Sequence, residues 1–464
     1  MDTALIYNPD DTICAVATPQ GAGALAVIRL SGPAAFDITD RIWHGARLSA
    51  AKSHTAHLGF ITDPADGSTV DQAVATVFRA PNSFTGDDTV EFAIHGSRWI
   101  QRRLLNLLCA QGARPALPGE YTRRAFASGK MDLAEAEAVA DLIAASSEAS
   151  HRLAMTQMRG HYSQMLNDMR EQLLELASLL ELELDFSEED VEFASRQKLM
   201  DLAGEIHRRL ASLARSFAAG QALKDGIPVA IIGPTNAGKS SLLNALVGDD
   251  RAIVSDIHGT TRDIVEDTLE IGSYLFRFKD TAGLRRTDDT IENLGIERSL
   301  KAAREASLVL NIIDPTQPSA ELHATDTSDA NTIYVVNKTD IAGDVATIIQ
   351  NISTTHPDSP VVAISAKSGE GINTLRKAIE DFAARLADTG ADAQYTVTNA
   401  RHAAELSAAA DSAAAVLSAL QAGTPPDLVA QDLRDTIRHL GAITGQISAP
   451  EILQSIFQNF CIGK

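Results

Sequence analysis

The chain has 464 residues, 45% of them apolar, and a formal net charge of −21. The length sets an expectation of about three domains, and the composition excludes a collagenous or wholly disordered chain. The acidic balance excludes a protein that coats nucleic acid by bulk attraction, because neutralising phosphates takes Lys and Arg.

Residues 1–130 mix short apolar runs with turn residues. "ICAVAT", "ALAVIRL", "AVATVF" and "TVEFAIHG" read as strands, and "PNSFTGDD" and "RPALPGEY" as turns, giving an α/β or α+β domain. From Asp132 breakers almost vanish, and Leu133, Val139, Leu142, Leu153, Met165, Met169, Leu173 and Leu176 recur at helical spacing. The acidic "DFSEEDVEF" reads as a solvated connection, and a further helix runs through Arg215. From about Leu223 to Leu386 strands and helices alternate. The stretch Ala391–Lys464 is Ala-rich and helical. The expected organisation is an N-terminal α+β domain (1–130), a discontinuous helical domain (131–222 and 390–464) and an inserted P-loop α/β domain (223–389), the flanking helices pairing into one bundle. Cys14, Cys109 and Cys461 read as free thiols in a reducing compartment. No apolar run reaches about 18 residues, and the first residues lack a basic n-region with an apolar h-region. The expectation is therefore cytoplasmic, with no membrane partner. Cys461 lies near the C-terminal end of the sequence, but Gly463 and Lys464 break a prenylation pattern.

"VAIIGPTNAGKSSLLNAL" carries the strongest signal. Gly233 and Gly238-Lys239-Ser240 fit G-x-x-x-x-G-K-[ST], between an apolar strand (229–232) and a helix (241–246). Such a loop turns backbone N–H groups toward phosphates and adds the positive end of a helix. Lys239 would bridge the β- and γ-phosphates and Ser240 would hold Mg2+. "TIYVVNKTD" then places Asn337, Lys338 and Asp340 after a buried strand. A carboxylate there can accept from the N1–H and 2-amino groups of guanine, and adenine lacks both donors. Ser365, Ala366 and Lys367 in "VVAISAKSG" supply a matching base loop, so GTP is expected as substrate. In "FRFKDTAGLRR", Asp280 would contact Mg2+ through water and Gly283 would donate to the γ-phosphate. Leu284 stands where many GTPases place a water-orienting glutamine. Glu292 is a candidate for that task, among other nearby acids (Asp288, Asp289, Glu297). In "VSDIHGTTRDI", Thr260 and Thr261 flank the γ-phosphate position. Asn236 could help coordinate a monovalent cation, and a plain loop hydrogen bond is equally open.

These motifs, the long helices, "SFTGDDTVEFAIHG", "KMDLAEAEAVADLI" and the terminal "FCIGK" together resemble the bacterial tRNA modification GTPase MnmE (TrmE) family over nearly the whole chain. The resemblance implies a folate-binding N-terminal domain that dimerises, and a heterotetramer of this homodimer with MnmG, which carries FAD and NADH. The pair would place carboxymethylaminomethyl or aminomethyl groups on C5 of tRNA wobble uridines, with the one-carbon unit drawn from 5-formyl- or 5,10-methylene-tetrahydrofolate. It also implies G domains that dimerise across K+ during hydrolysis, which would account for Leu284. By resemblance, K+ falls on Asn236, Ser255, Ile257 and Thr260; Mg2+ on Ser240 and Thr261; and the catalytic acid on Glu292. The nucleotide would further touch Ala237, Ser241, Asp256, His258, Gly259, Thr281 and Ala282. Folate falls on Arg29, Glu91, Lys130 and Lys464, and Cys461 would sit by the one-carbon chemistry, with a nucleophilic role as a hypothesis. Pro234, Thr235, Ser255 and His258 depart from the commoner residues. A ribosome-assembly GTPase is the alternative, but it usually carries a basic RNA-binding domain that this chain lacks. Arg102-Arg103 and Arg123-Arg124 are possible tRNA contacts or plain solvated charges.

Overall fold

The computed structural model describes residues 7–185, 196–248, 267–278, 301–317, 331–388, 395–447, 450–458 and 460–463. The chain divides into two compact units. The first comprises Met1–Ile143, Gln157–Arg170 and Leu440–Lys464; the second comprises Ala144–Thr156 and Glu171–His439.

The first unit is built on strands β1 (Ile13–Val16), β2 (Leu25–Ser31), β3 (Trp43–His44), β4 (Thr55–Thr62), β5 (Thr69–Phe78), β6 (Thr89–His95) and β7 (Arg114–Pro115). They form one seven-stranded sheet in the order β3-β4-β5-β6-β2-β1-β7. Its pairings are antiparallel except β1 with β7. Alternation decides its faces. Ile28, Leu30, Ala75, Val77, Val90 and Phe92 point inward and share a core with Phe36, Ile38, Leu104 and Leu108 of the helices Ala35–Ile42 and Arg98–Ala110. The opposite face carries Leu58, Phe60 and Val74, all exposed, and in the next cross-strand row Glu91 opposite Arg29. The helix Pro450–Gln458 docks through Phe457 on Leu133, Ala136 and Phe126. Gly119 is needed beneath it: φ is +63°, and a Cβ there would collide with the Phe457 carbonyl oxygen. Ile452, Leu453, Ile456, Phe457 and Phe460 are spaced like one packed face, yet Ile452 is exposed.

The helical run expected from Asp132 is three helices, Leu133–Ala144, Glu148–Met158 and His161–Asp185. Ser147 caps the second by accepting from Ser150 N. Gly160, at φ +77°, separates it from the third. In the second unit, Arg196–Arg215 packs along Ala400–Ala422: His207 Nδ1 lies 3.0 Å from Ala410 O, and Arg196 Nε donates to Leu420 O. The helices on either side of the α/β module thus meet. Among the described residues, Ala400–Ala422 is long and apolar enough to cross a membrane. It nevertheless buries Leu406, Ala409, Ala413, Val416 and Leu420 within the protein.

Strands β8 (Ile227–Ile232), β9 (Asp267–Ile271), β10 (Tyr274–Phe278), β11 (Leu308–Ile313), β12 (Thr332–Val336) and β13 (Val361–Ala363) form the second sheet, ordered β13-β12-β11-β8-β10-β9. Only β9 runs antiparallel to its neighbour. β11 and β12 are buried throughout, as strands covered on both faces must be. Leu242 and Leu246 of the helix Lys239–Val247, with Leu375 and Ile379 of Ile372–Asp388, cover one face. Ile352 of Val345–Thr355 packs with Ile313 and Tyr334. The chain leaves β8 for one side of the sheet and returns to β11 on the other. The carboxyl end of β8 is therefore the switch point where such sheets bind ligands.

Candidate functional site

The loop after β8 sits at that switch point and leads into the helix Lys239–Val247. Asn236 (φ +64°) and Gly238 (φ +95°) both take left-handed backbone, which curls the loop. A Cβ at Gly238 would collide with Asn337 Nδ2, so only glycine lets the two loops close on one another. Lys239 Nζ donates to Gly233 O at 2.8 Å and Pro234 O at 2.9 Å. Burial lowers the Lys239 pKa from its ordinary value. The ammonium thus hangs over a loop of carbonyls that phosphate oxygens can replace, and the donor set fits a di- or triphosphate. Ser240 is half-buried at the helix start and Ser241 exposed beside it, while Ala237 is buried.

Asn337, Thr339 and Asp340 are all tied to the segment 364–366 that follows β13, and Lys338 to Asp314 after β11. Asn337 is buried; Nδ2 donates to Ala237 O at 2.8 Å, and Oδ1 accepts from Ala366 N at 3.0 Å. One side chain therefore joins the phosphate loop to the base loop. Thr339 N donates to Ile364 O. Asp340 Oδ1 accepts from the buried Ser365 hydroxyl at 2.8 Å, and the exposed residue keeps its other oxygen for a ligand. Lys338, at φ +60°, pairs with Asp314 at 2.7 Å. Lys367 is exposed on the base loop. The arrangement offers one carboxylate to the two donors on guanine's edge.

Ser255, Asp256, Ile257, His258, Gly259, Thr260, Thr261, Asp280, Thr281, Ala282, Gly283, Leu284, Glu292 and Lys464 lie outside the described residues. Of the expected K+ ligands, Asn236 alone is described, and it is exposed. Among the described residues no group of three or more His, Cys, Asp or Glu side chains could hold a metal ion. A cavity of about 490 Å3 lies elsewhere, lined by Leu153, Leu223, Tyr274 and Ala387, and borders none of the expected site residues.

In the first unit, Arg29 Nε and Nη2 both reach Glu91 Oε1, at 2.8 and 2.7 Å. The guanidinium stacks near the rings of Phe84 and Tyr121 at 5.6 and 5.4 Å, and Tyr121 donates to Arg29 O. Arg29 Nη1 also lies 3.4 Å from Gly463 O, and Gly119 N donates to Cys461 O, so the tail reaches the sheet. A Cβ at Gly463, where φ is +102°, would collide with Val16 O. Glu91 stays half-buried with its second oxygen open, and the aromatic-walled pair fits a flat heterocycle with N–H donors. Lys130 is exposed, with Cε beside Gly86. Cys461 is exposed; Cys14 is buried, and burial together with Cys109, its Sγ 3.8 Å away, pushes the Cys14 thiol up.

Two of the arginines open to RNA are otherwise engaged. Arg103 pairs with Asp63. Arg124 is buried against Glu120 and Asp87. Asp314, Phe84, Tyr121 and Gly463 escape the sequence reading as site residues. The signal for Asp314 is an acid directly after a strand that is apolar but for Asn311. Phe84 lies inside the quoted "SFTGDD", but nothing local pairs it with Arg29.

A switch-point phosphate loop bridged by an asparagine to a base loop defines this chain as a P-loop GTPase built into a helical protein. The family model of the MnmE helical domain matches residues 133–461, and that of the GTP-binding protein TrmE N-terminus matches residues 12–130. The protein named tRNA modification GTPase MnmE from Parabacteroides distasonis is 47% identical over 98% of this chain and 100% of its own. That of Cytophaga hutchinsonii is 45% identical over 100% of both chains, and that of Porphyromonas gingivalis 47% over 98% of both. The chain belongs to the tRNA modification GTPase MnmE family. The G domain of FeoB from Methanococcus jannaschii, 23% identical, aligns with 34% of this chain and 98% of its own at a TM-score of 0.25, too low to bear on the site.

Proposed function

We propose that this GTP-hydrolysing enzyme acts in the cytoplasm on tRNA. As a homodimer joined to the FAD protein MnmG, which also takes NADH, it would install carboxymethylaminomethyl or aminomethyl groups at C5 of wobble uridines. The observation that carries the GTPase part is the Asn337 side chain, which ties the phosphate loop to the base loop. Lys239 neutralises phosphate charge, Ser240 and Thr261 hold Mg2+, and Asp340 reads guanine. K+ is held by Asn236 with Ser255, Ile257 and Thr260 and supplies positive charge at the phosphates. Glu292 orients water, since Leu284 cannot.

The one-carbon unit comes from 5-formyl- or 5,10-methylene-tetrahydrofolate. Glu91 accepts from the pterin, and Arg29, Lys130 and Lys464 meet carboxylates and fix the tail. The Arg29–Glu91 pair between two rings supports this reading. The exposed Leu58 and Phe60, with Val74 directly across from Leu58, support a homodimer formed through the sheet face. Cys461 carries the nucleophile of the modification step. GTP hydrolysis works as a switch apart from that chemistry.

The test is the wobble-uridine content of tRNA from a deletion strain carrying wild-type, Arg29→Ala or Cys461→Ser protein, read by mass spectrometry. The wild type should restore the modified nucleoside and both variants should not, while purified Cys461→Ser keeps its GTP hydrolysis. Full modification by both variants contradicts the proposed chemistry at this end of the protein.

A further inference from the structure

Asp314 follows β11, a strand buried over its whole length, and its carboxylate is 1% exposed. The two oxygens have separate tasks. Oδ1 accepts from Thr316 N at 3.0 Å and from the Thr316 hydroxyl at 2.6 Å, which closes the local turn. Oδ2 is left for Lys338 Nζ at 2.7 Å, 24 residues on in sequence and at the end of the neighbouring strand. A buried carboxylate meeting an ammonium forms a strong, directional pair.

Lys338 needs such an anchor. At φ +60° it is one of three non-glycine residues with positive φ among those described; the others are His54 and Asn236. Its carbonyl accepts from Ile341 N and Ala342 N, so the strained backbone also sets the turn that carries Asp340. Strained residues persist where their surroundings over-determine them. On one flank Asn337 is tied to Ala237 and Ala366, and on the other Asp340 is tied to Ser365. The ion pair is what fixes the lysine between them.

We infer that Asp314 is a positioning residue for guanine recognition: its buried carboxylate holds the Lys338 ammonium so that the lysine stem and the turn bearing Asp340 are preset for the base. This rests on the reading of Asp340 as the guanine-binding carboxylate. A residue that merely closed its own turn would make a different prediction. Asn at 314 keeps the acceptor for Thr316 and replaces only the oxygen that meets Lys338. Asp314→Asn therefore separates the two tasks.

The experiment is titration of the full-length protein with fluorescent GDP and XDP, for wild type, Asp314→Asn, Lys338→Met, the double variant and Asp340→Asn, with steady-state GTP hydrolysis alongside. Asp314→Asn should weaken GDP about tenfold. KM for GTP should rise by about the same factor, with kcat within about twofold. Adding Lys338→Met to Asp314→Asn should cost much less than Lys338→Met costs alone. Asp340→Asn should lose GDP and gain XDP. Failure of that last result removes the underlying guanine-site reading. If Asp340→Asn behaves as expected while Asp314→Asn binds GDP like the wild type, this inference alone is overturned. Strictly additive losses for Asp314→Asn and Lys338→Met overturn it too. Should Asp314→Asn fold poorly, wild-type GDP affinity in Lys338→Met overturns it equally.

Discussion

The nucleotide loops and the outer face of the N-terminal sheet hold their polar groups by different means. At the loops, most of the work falls to backbone and to residues close in sequence: Asn236, Gly238 and Lys239 lie within one turn, and Asn337 to Asp340 within another. At the sheet, Arg29 meets Glu91 from the neighbouring strand, Phe84 from a turn, Tyr121 from a helix and Gly463 from the C-terminal tail. The first kind of site is a local motif that a switch-point sheet presents. The second exists only once distant segments have folded together. Replacing one loop residue should therefore act on nucleotide alone, and replacing Arg29 should act on the sheet site alone.

The largest effect should come from Lys239→Ala. Losing the half-buried ammonium should cut GTP turnover about 100-fold or more, measured as phosphate release; turnover within tenfold of wild type would break the local-motif view. Asn337→Ala comes next. It strands Ala237 O and Ala366 N, and two lost hydrogen bonds correspond to about 10- to 100-fold weaker GDP binding. Calorimetric titration with GDP checks this. An unchanged affinity would mean that the two loops are held together by something else.

The difference in legibility follows the same division. Gly233 to Ser240, Asn337, Asp340 and Ser365 can be read from sequence because their spacing is imposed by one short turn and one ligand. Asp314 cannot, since its partner Lys338 is reached only through the parallel pairing of β11 with β12. Arg29 and Glu91 look like ordinary strand charges by themselves. Only the family resemblance singles them out, and it gives no role to Phe84 or Tyr121. The run after Asp132 is legible as helix but not as three helices, because a Ser cap and a single positive-φ glycine are weak breaks in a periodic pattern. Ile452 falls on the exposed side of its helix for a related reason: periodicity gives a stripe, not its edge.

Arg29→Ala acts on the sheet site. Tetrahydrofolate binding, followed by fluorescence quenching, should weaken about tenfold or more through loss of a charge-assisted contact. GTP hydrolysis should stay within about twofold. A parallel fall in both would show that the two regions are not independent.

The smallest effect is on acid stability. Burial of Glu120 raises its pKa, but the Arg114 guanidinium and Leu117 N outweigh this and hold the carboxyl below its ordinary value. A depressed pKa contributes stability that is complete above the unfolded value, about 4.3. That stability is lost as pH falls through the folded value. Denaturant melts should therefore weaken below about pH 4.3 in the wild type. Glu120→Gln should be less stable at neutral pH and should show a shallower acid slope. Parallel slopes would remove Glu120 as the origin.

In the proposed function, GTP is hydrolysed with a monovalent cation at Asn236 supplying charge, so that no glutamine is needed at Leu284. Steady-state GTP hydrolysis in KCl and in NaCl at equal ionic strength, with Asn236→Ala alongside, tests it most directly. Strong activation by K+ that disappears in the variant is the predicted result. Equal rates in the two salts would rule out that cation and leave the water at the γ-phosphate to be oriented by another group or by a partner.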